Sequence, residues 1–298
     1  MVSLVVPVDK IPYIRTIEGR KYKDGRWEFP DSAIKKLQQY GLIDSNIKVE
    51  EKEIVQYELS PHLREYQKKI TNTALNEGSY GIFADTGTGK TIMGLELAKH
   101  YEKTLILCPL SVIETAWIDD CNTFYPELTI RNCWRNSKKE RIDSLNTKAD
   151  VYVMNYESFK ILKNDIMKMG FDCMIIDESQ VMKNMTSQIT NELLQMIDVI
   201  PHRFVLSGTP TPNHNSEIFP QMKFVEPEVF GNNFYGFQAR YFHQDMENPH
   251  RWYQTDEDKE AYFSRLRDKS VFLKKEDCVD LPPKVFEVKR FELGKEQK

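Results

Sequence analysis

At 298 residues and 40% hydrophobic content, the chain is long enough to bury one large core and a smaller one beside it. Its net charge is −4, from 41 basic and 45 acidic side chains, which excludes a global basic field, so any nucleic-acid surface must be local. Five cysteines without C-x-x-C spacing and six histidines without an H-E-x-x-H pattern exclude the common zinc motifs, and no apolar run approaches the ~18 residues of a membrane span.

Residues 1–8 are apolar but lack a basic flank and a cleavage site, so they read as a strand, not a signal. A soluble protein is expected, in a bacterial or viral-host cytoplasm, or in the nucleus of a eukaryote. Tyr22-Lys23-Asp24-Gly25-Arg26-Trp27-Glu28-Phe29 alternates about Asp-Gly, a short-range hairpin signal. Asp31 then stands where it would cap a helix over 32–40, which Gly41 closes. Residues 1–40 hold eight basic and five acidic side chains, a local +3. A small α+β module over 1–52 is therefore expected. It suits either contact with a nucleic-acid backbone or a solvated hairpin packed on the next domain.

From 53 to 280 the pattern changes. Short apolar runs at 80–84, 104–108, 128–134, 151–155, 173–176 and 203–206 alternate with helical patterns such as 112–124, 138–145 and 188–197. Such alternation implies an α/β domain with a mainly parallel sheet and helices on both faces. Ligands in that architecture gather at the carboxyl ends of the strands. Residues 215–275 read as a helical insertion, in which Phe230, Phe234, Tyr235, Phe237, Tyr241 and Phe242 are core rather than a base-stacking platform. Leu281-Pro282-Pro283-Lys284 opens a linker over 281–298.

Three clusters carry the chemistry. Asp85-Thr86-Gly87-Thr88-Gly89-Lys90-Thr91 follows an apolar strand and precedes a helical run over 92–101. Its glycines allow backbone N–H groups to curl round phosphate oxygens, Lys90 reaches the β- and γ-phosphates, and the Thr91 hydroxyl suits Mg²⁺. The strict pattern has glycine where this chain has Ala84. Asp177-Glu178, after Cys173-Met174-Ile175-Ile176, is an acidic pair at a strand end: one carboxylate to hold the metal and one to polarise water. Ser207-Gly208-Thr209-Pro210 closes the set.

With these motifs in order, residues from about 60 to 290 resemble the first RecA-like lobe of superfamily-two helicases, most closely Swi/Snf-type translocases of double-stranded DNA. Leu63-Arg64-Glu65-Tyr66-Gln67 is similar to that family's adenine-reading segment, with Gln67 as the base contact. Leu107-Cys108-Pro109-Leu110-Ser111, followed by Trp117, is similar to a strand-contacting motif, and Asn155-Tyr156-Glu157 to a DNA-tracking one. Asp177-Glu178-Ser179-Gln180 stands where the family has Asp-Glu-Ala-His or a near variant. Lys183-Asn184, Asn213 and Phe272-Leu273-Lys274-Lys275 continue the likeness. Residues 1–52, with Ile11-Pro12 and the hairpin, are similar to the HARP-type module of annealing helicases.

The resemblance implies an ATP- and Mg-using, DNA-dependent ATPase that acts on double-stranded or forked DNA as a monomer, in remodelling, annealing or repair. It assigns Gln67 and 85–91 to ATP, Thr91 and Asp177 to Mg²⁺, and Glu178 to the base. Gln180, Ser207, Gly208 and Thr209 then couple nucleotide to DNA, which Pro109, Leu110, Ser111, Asn155 and Tyr156 contact. It also implies a second RecA-like lobe beyond the linker to complete the cleft, so this stretch alone is expected to hydrolyse ATP poorly. The rival readings are an RNA helicase or restriction-type motor, and a non-hydrolysing DNA-binding adaptor.

Overall fold

The structure is a computed structural model. It describes residues 54–245, 247–248 and 252–278, and within the first 43 residues it describes 2–4, 6, 10, 14, 17, 21–23, 26–29 and 33–43. The chain divides into two compact units, Met1–Glu58 and Leu59–Lys298.

In the first unit, β1 (Val2–Leu4), β2 (Lys21–Lys23) and β3 (Arg26–Phe29) form an antiparallel sheet in the order β1-β3-β2. Lys23 pairs with Arg26, the register that a two-residue turn imposes. The turn residues Asp24-Gly25, the expected cap Asp31 and Ile11-Pro12 lie outside the described residues. Helix α1 (Ile34–Gln39) begins after Ala33, without a side-chain cap, and Gly41 follows it in the left-handed region at φ +64°. Val6, Ile14, Ile17, Phe29, Ala33 and Leu37 bury one another as this unit's own core.

The second unit is built on a seven-stranded parallel sheet, and its fold is α/β as the alternation predicted. Its strands are β4 (Ser79–Ala84), β5 (Thr104–Leu107), β6 (Ile130–Asn132), β7 (Val151–Met154), β8 (Cys173–Asp177), β9 (His202–Ser207) and β12 (Ser270–Leu273), in the spatial order β12-β4-β9-β8-β5-β7-β6. The β4, β5, β7 and β8 segments are buried along their whole length, which is why they read as continuous apolar runs rather than alternations. Cys108 and Cys173 lie in that core as free thiols. The helices include α2 (Glu65–Glu77), α3 (Lys90–Lys99), α4 (Asp119–Phe124), α5 (Lys138–Asn146), α6 (Tyr156–Ile166) and α7 (Gln188–Leu194). The segment 112–124 is helical as expected, but not α-helical throughout. The segment opens with a 3₁₀ turn, Leu110–Val112, and a π-helical stretch, Ile113–Ile118, before α4. That wider turn puts Trp117 wholly inside the core.

The reading of 215–275 as a helical insertion is corrected, because the segment also holds strands. Helices α8 (Phe219–Val225), α9 (Phe234–Tyr241) and α10 (Asp256–Lys269) are present. The segment also holds a two-stranded ribbon, β10 (His243–Gln244) with β11 (Trp252–Tyr253), and it ends in β12, an edge strand of the main sheet. β12 escaped notice because four residues are too few to establish a period and its partner β4 is remote in sequence. The aromatics form a core as expected. Phe237, Tyr241 and Phe242 are buried, Phe230 stacks on Tyr262, and only Tyr235 of the six is strongly exposed. No helix among the described residues is long and apolar enough to cross a membrane.

One buried charge on α3 ties the start of this unit to its core. The Glu96 carboxylate, fully buried, accepts the Ser60 N–H at 3.2 Å and lies 3.4 Å from His100 Nε2. Burial alone would push the Glu96 carboxyl up, but hydrogen bonds from His100, Ser60 and Tyr125 outweigh it and hold the carboxyl at about 2, against an ordinary 4.5. The depressed value stabilises the fold above pH 4.5, and that contribution is lost as pH falls from 4.5 through about 2. Glu96→Gln is expected to cost roughly 1.5–3 kcal/mol at neutral pH and to flatten the acid limb of the stability curve in urea titrations. An acid limb as steep as that of the wild type would remove Glu96 from this role.

Candidate nucleotide site

The strand registers bring the motifs together. Phe83 of β4 pairs with Ser207 of β9, Leu206 of β9 with Asp177 of β8, and Ala84 of β4 with Leu273 of β12. Four adjacent strands therefore end within about a residue of one another. The glycine loop, Asp177-Glu178, Ser207-Gly208-Thr209 and Lys274-Lys275 emerge side by side at the carboxyl edge.

Within the loop, left-handed backbone is confined to Gly87 (φ +86°) and Gly89 (φ +83°), the conformation that turns successive N–H groups inward. Ala84 is buried as the last residue of β4. It belongs to the strand rather than the turn, so glycine is not required there. Thr88 is buried and its hydroxyl donates to the Asp85 carbonyl at 2.8 Å. Thr86 is exposed. Lys90 opens α3 and folds back to donate to the carbonyls of Ala84 (2.7 Å) and Asp85 (3.3 Å). Thr91 follows in the first turn of the same helix.

Gln67 lies against the loop. Its amide donates to the Thr88 carbonyl at 3.0 Å and accepts the Arg64 N–H at 2.8 Å, while the Tyr66 hydroxyl also reaches the Thr88 carbonyl, at 2.8 Å. A Cβ on Gly89 would stand 2.2 Å from Gln67 Nε2. A cavity of about 220 Å³ opens here, lined by His62, Arg64, Tyr66, Gln67, Ile92 and Phe124 together with the loop glycines. Arg64 and Tyr66 were legible as neighbours of Gln67. Phe124 was not, because only the packing of α4 brings it here.

Asp177 ends β8 and is buried. One carboxylate oxygen accepts the Trp117 indole N–H at 3.1 Å, and the other accepts the Glu178 N–H at 3.0 Å. Burial pushes this carboxyl up to about 6; the Trp117 bond pulls it down and the Glu178 charge pushes it up again. The Tyr156 hydroxyl donates to the Asp177 carbonyl. With the Thr91 hydroxyl, Asp177 offers the hard oxygen donors that Mg²⁺ takes alongside phosphate and water. Glu178 holds φ +54°, the sole positive value for a non-glycine residue among the described residues. Such strain, of order 1–2 kcal/mol, tends to collect at functional sites.

A relay leaves Glu178. Gln180 Nε2 donates to its carboxylate at 2.8 Å, the Ser207 hydroxyl donates to Gln180 Oε1 at 2.7 Å, and the Thr209 N–H donates to Ser207 Oγ at 3.0 Å. The amide thus supplies one donor and one acceptor, as a neutral imidazole would. Gln180 in place of histidine therefore keeps the connection and removes its titration. A second strut was missed in the sequence: the buried Gln221 accepts the Ser179 hydroxyl at 2.7 Å and donates to the Pro210 carbonyl at 2.6 Å. Gly208 faces the loop, where a Cβ would come within 3.6 Å of both the Ala84 carbonyl and Lys90 Nζ.

Pro109, Leu110 and Ser111 leave the end of β5. Leu110 and Ser111 are exposed. Asn155 and Tyr156 are committed inward, Asn155 as the cap of α6 through Ser158 and Tyr156 on Asp177.

The family described as SNF2-related domain matches residues 46–298. The chain belongs to the SNF2-related family. One relative is the Caenorhabditis elegans SWI/SNF-related matrix-associated actin-dependent regulator of chromatin subfamily A-like protein 1 homolog. It is 33% identical over 181 residues, 59% of this chain and 26% of that protein. The chromatin-remodeling ATPase INO80 of Saccharomyces cerevisiae is 28% identical over 193 residues, 57% of this chain and 13% of its own length. The chain therefore spans about a quarter or less of these curated relatives. Among solved structures, the Sulfolobus solfataricus SWI2/SNF2 ATPase core in complex with dsDNA superposes with a TM-score of 0.60 at 20% identity, over 74% of this chain and 46% of that one. The second unit of this SNF2-related chain thus has the RecA-like fold of that core.

Proposed function

We propose that the chain forms the first lobe of an ATP-dependent translocase on double-stranded DNA. The observation that carries this reading is the relay from Glu178 through Gln180 and Ser207 to Thr209, which joins the acidic pair to the neighbouring strand end beside the glycine loop. Residues 85–91 grip the phosphates, with Lys90 turning from the Ala84 carbonyl to the β- and γ-oxygens, and the cavity beside Gln67 takes the base. Thr91 and Asp177 would hold Mg²⁺, which when bound would supply positive charge against the terminal phosphate. Glu178 accepts the proton of the attacking water. Its protonation is felt by Gln180 and then by Ser207, so nucleotide state reaches Thr209 at the end of β9 through fixed hydrogen bonds.

The names of the relatives, two of them chromatin-associated, and a solved core bound to dsDNA support this assignment. A second RecA-like lobe supplies arginine to the γ-phosphate in the full-length chain, and residues 1–52 act as a HARP-like module for forked DNA. Measuring ATP turnover of the native protein with duplex DNA, single strands and RNA tests the reading. Duplex DNA is expected to stimulate most. Stimulation by RNA alone would replace it with an RNA motor, and nucleotide-independent DNA binding without turnover would replace it with an adaptor.

A further inference from the structure

The segment that leaves the sheet after β12 is fastened to the phosphate loop at two points. The Asp85 N–H donates to the Leu273 carbonyl at 3.1 Å, and the Lys275 N–H donates to Asp85 Oδ2 at 2.9 Å. These bonds fix the backbone of Lys275 at the level of the loop, and the side chain lies against it. Lys275 Nζ and Cε stand 3.5 and 3.6 Å from the point that a Cβ on Gly87 would occupy. Gly87 is exposed and left-handed, so the ammonium sits beside the open turn of the loop rather than behind it. The Lys275 side chain makes no ion pair or hydrogen bond among the described residues; the nearby charges of Glu276 and Lys274 pair with each other.

We propose that Lys275 is a second cationic contact for the polyphosphate of a nucleoside di- or triphosphate, and that Asp85 is the residue that positions it. This rests on the nucleotide reading above. The juxtaposition is chemically directed: a half-buried lysine on a pinned backbone, facing the glycine of an anion-binding turn, gains a partner when phosphate enters. It also explains an acid in the loop itself. A free carboxylate at Asp85 would repel phosphate, whereas one committed to the Lys275 N–H brings a cation in exchange. Lys90 approaches from the helix that follows the loop and Lys275 from the sheet edge, so the two come from different elements. The loop is thereby linked to the segment that follows β12.

The test is a titration of the full chain with fluorescent derivatives of ATP, ADP and AMP in Mg²⁺, for wild type, Lys275→Met, Lys275→Arg, Asp85→Ala and Lys90→Ala, with unfolding midpoints recorded alongside. Lys275→Met is expected to weaken ATP and ADP by about tenfold or more and to leave AMP within about twofold of wild type, with Lys275→Arg recovering most of the loss. Asp85→Ala should reproduce the Lys275→Met pattern at reduced size. Unchanged ATP and ADP affinity in Lys275→Met, with Lys90→Ala still defective, overturns the role of Lys275 and leaves the nucleotide reading standing. An equal loss for all three nucleotides without recovery by arginine also overturns it, in favour of a structural effect. Absence of binding by the wild type removes both.

Discussion

Glu178→Gln in the intact native protein is expected to lower DNA-stimulated ATP hydrolysis by about 10²–10⁴-fold, the usual worth of a positioned general base, while nucleotide binding stays within a few-fold of wild type. The split follows from where Glu178 stands. It follows the last residue of β8, one position beyond the buried Asp177, in a left-handed backbone that no glycine relieves. The substitution keeps shape and backbone, and an amide still pairs with Gln180, so the relay to Ser207 persists. What disappears is the capacity to accept a proton from water. Asp177, the proposed metal ligand, is untouched, and so are the contacts around Lys90. Single-turnover and steady-state ATPase assays with duplex DNA, set beside nucleotide titrations, separate the two. Turnover at the wild-type level in purified Glu178→Gln protein would remove Glu178 as the base, and a matching loss of binding would reassign it to holding substrate.

The second large effect is on stability. Gly94→Ala is expected to destabilise the second unit by about 1–3 kcal/mol through overpacking and to weaken Mg-nucleotide binding with it. Helix propensity points the opposite way, since alanine in a helix interior is favoured over glycine by about 1 kcal/mol. Packing decides. A Cβ at Gly94 would stand 2.6 Å from Trp117 Cη2, 3.1 Å from its Cζ3 and 3.2 Å from Leu206 Cδ1. The indole is rigid and fully buried, and its N–H is held on Asp177, so it has no inexpensive retreat. Urea denaturation gives the stability change. A Gly94→Ala protein as stable as the wild type would show that α3 can shift away from Trp117 without loss.

Much of this site was legible because its chemistry is local in sequence. A glycine loop needs its glycines, lysine and threonine within seven consecutive positions, and an acidic pair needs only a preceding buried strand. Continuous apolar runs likewise marked the inner strands, since strands buried on both faces leave no alternation to misread. The edge strand β12 and the π-helical turn before α4 were illegible for the converse reason. Each is short, and each is stabilised by partners that lie elsewhere in the chain. Trp117 was noticed as part of a motif, but its bond to Asp177, 60 positions away, depends on that turn.

The same division applies to roles. Asn155 and Tyr156 occupy motif positions that the family resemblance assigns to DNA, yet a cap to Ser158 and a bond to the Asp177 carbonyl commit their side chains inward. Residue type alone does not tell a hydroxyl or amide that faces solvent from one that holds a helix cap or a strand end.

The order of local motifs determined that this is an α/β domain of the SNF2-related kind, because each motif is a covalently contiguous solution to a chemical task. Tertiary structure alone decided how the motifs are wired. Parallel register aligned four strand ends that are separated by up to about 190 positions. That alignment let Gln180 bridge Glu178 to Ser207, Gln221 join Ser179 to Pro210, and Asp85 fasten Lys275 beside Gly87. Hydrogen bonds of about 3 Å depend on where backbones meet, and a linear pattern does not encode that meeting until the sheet has formed.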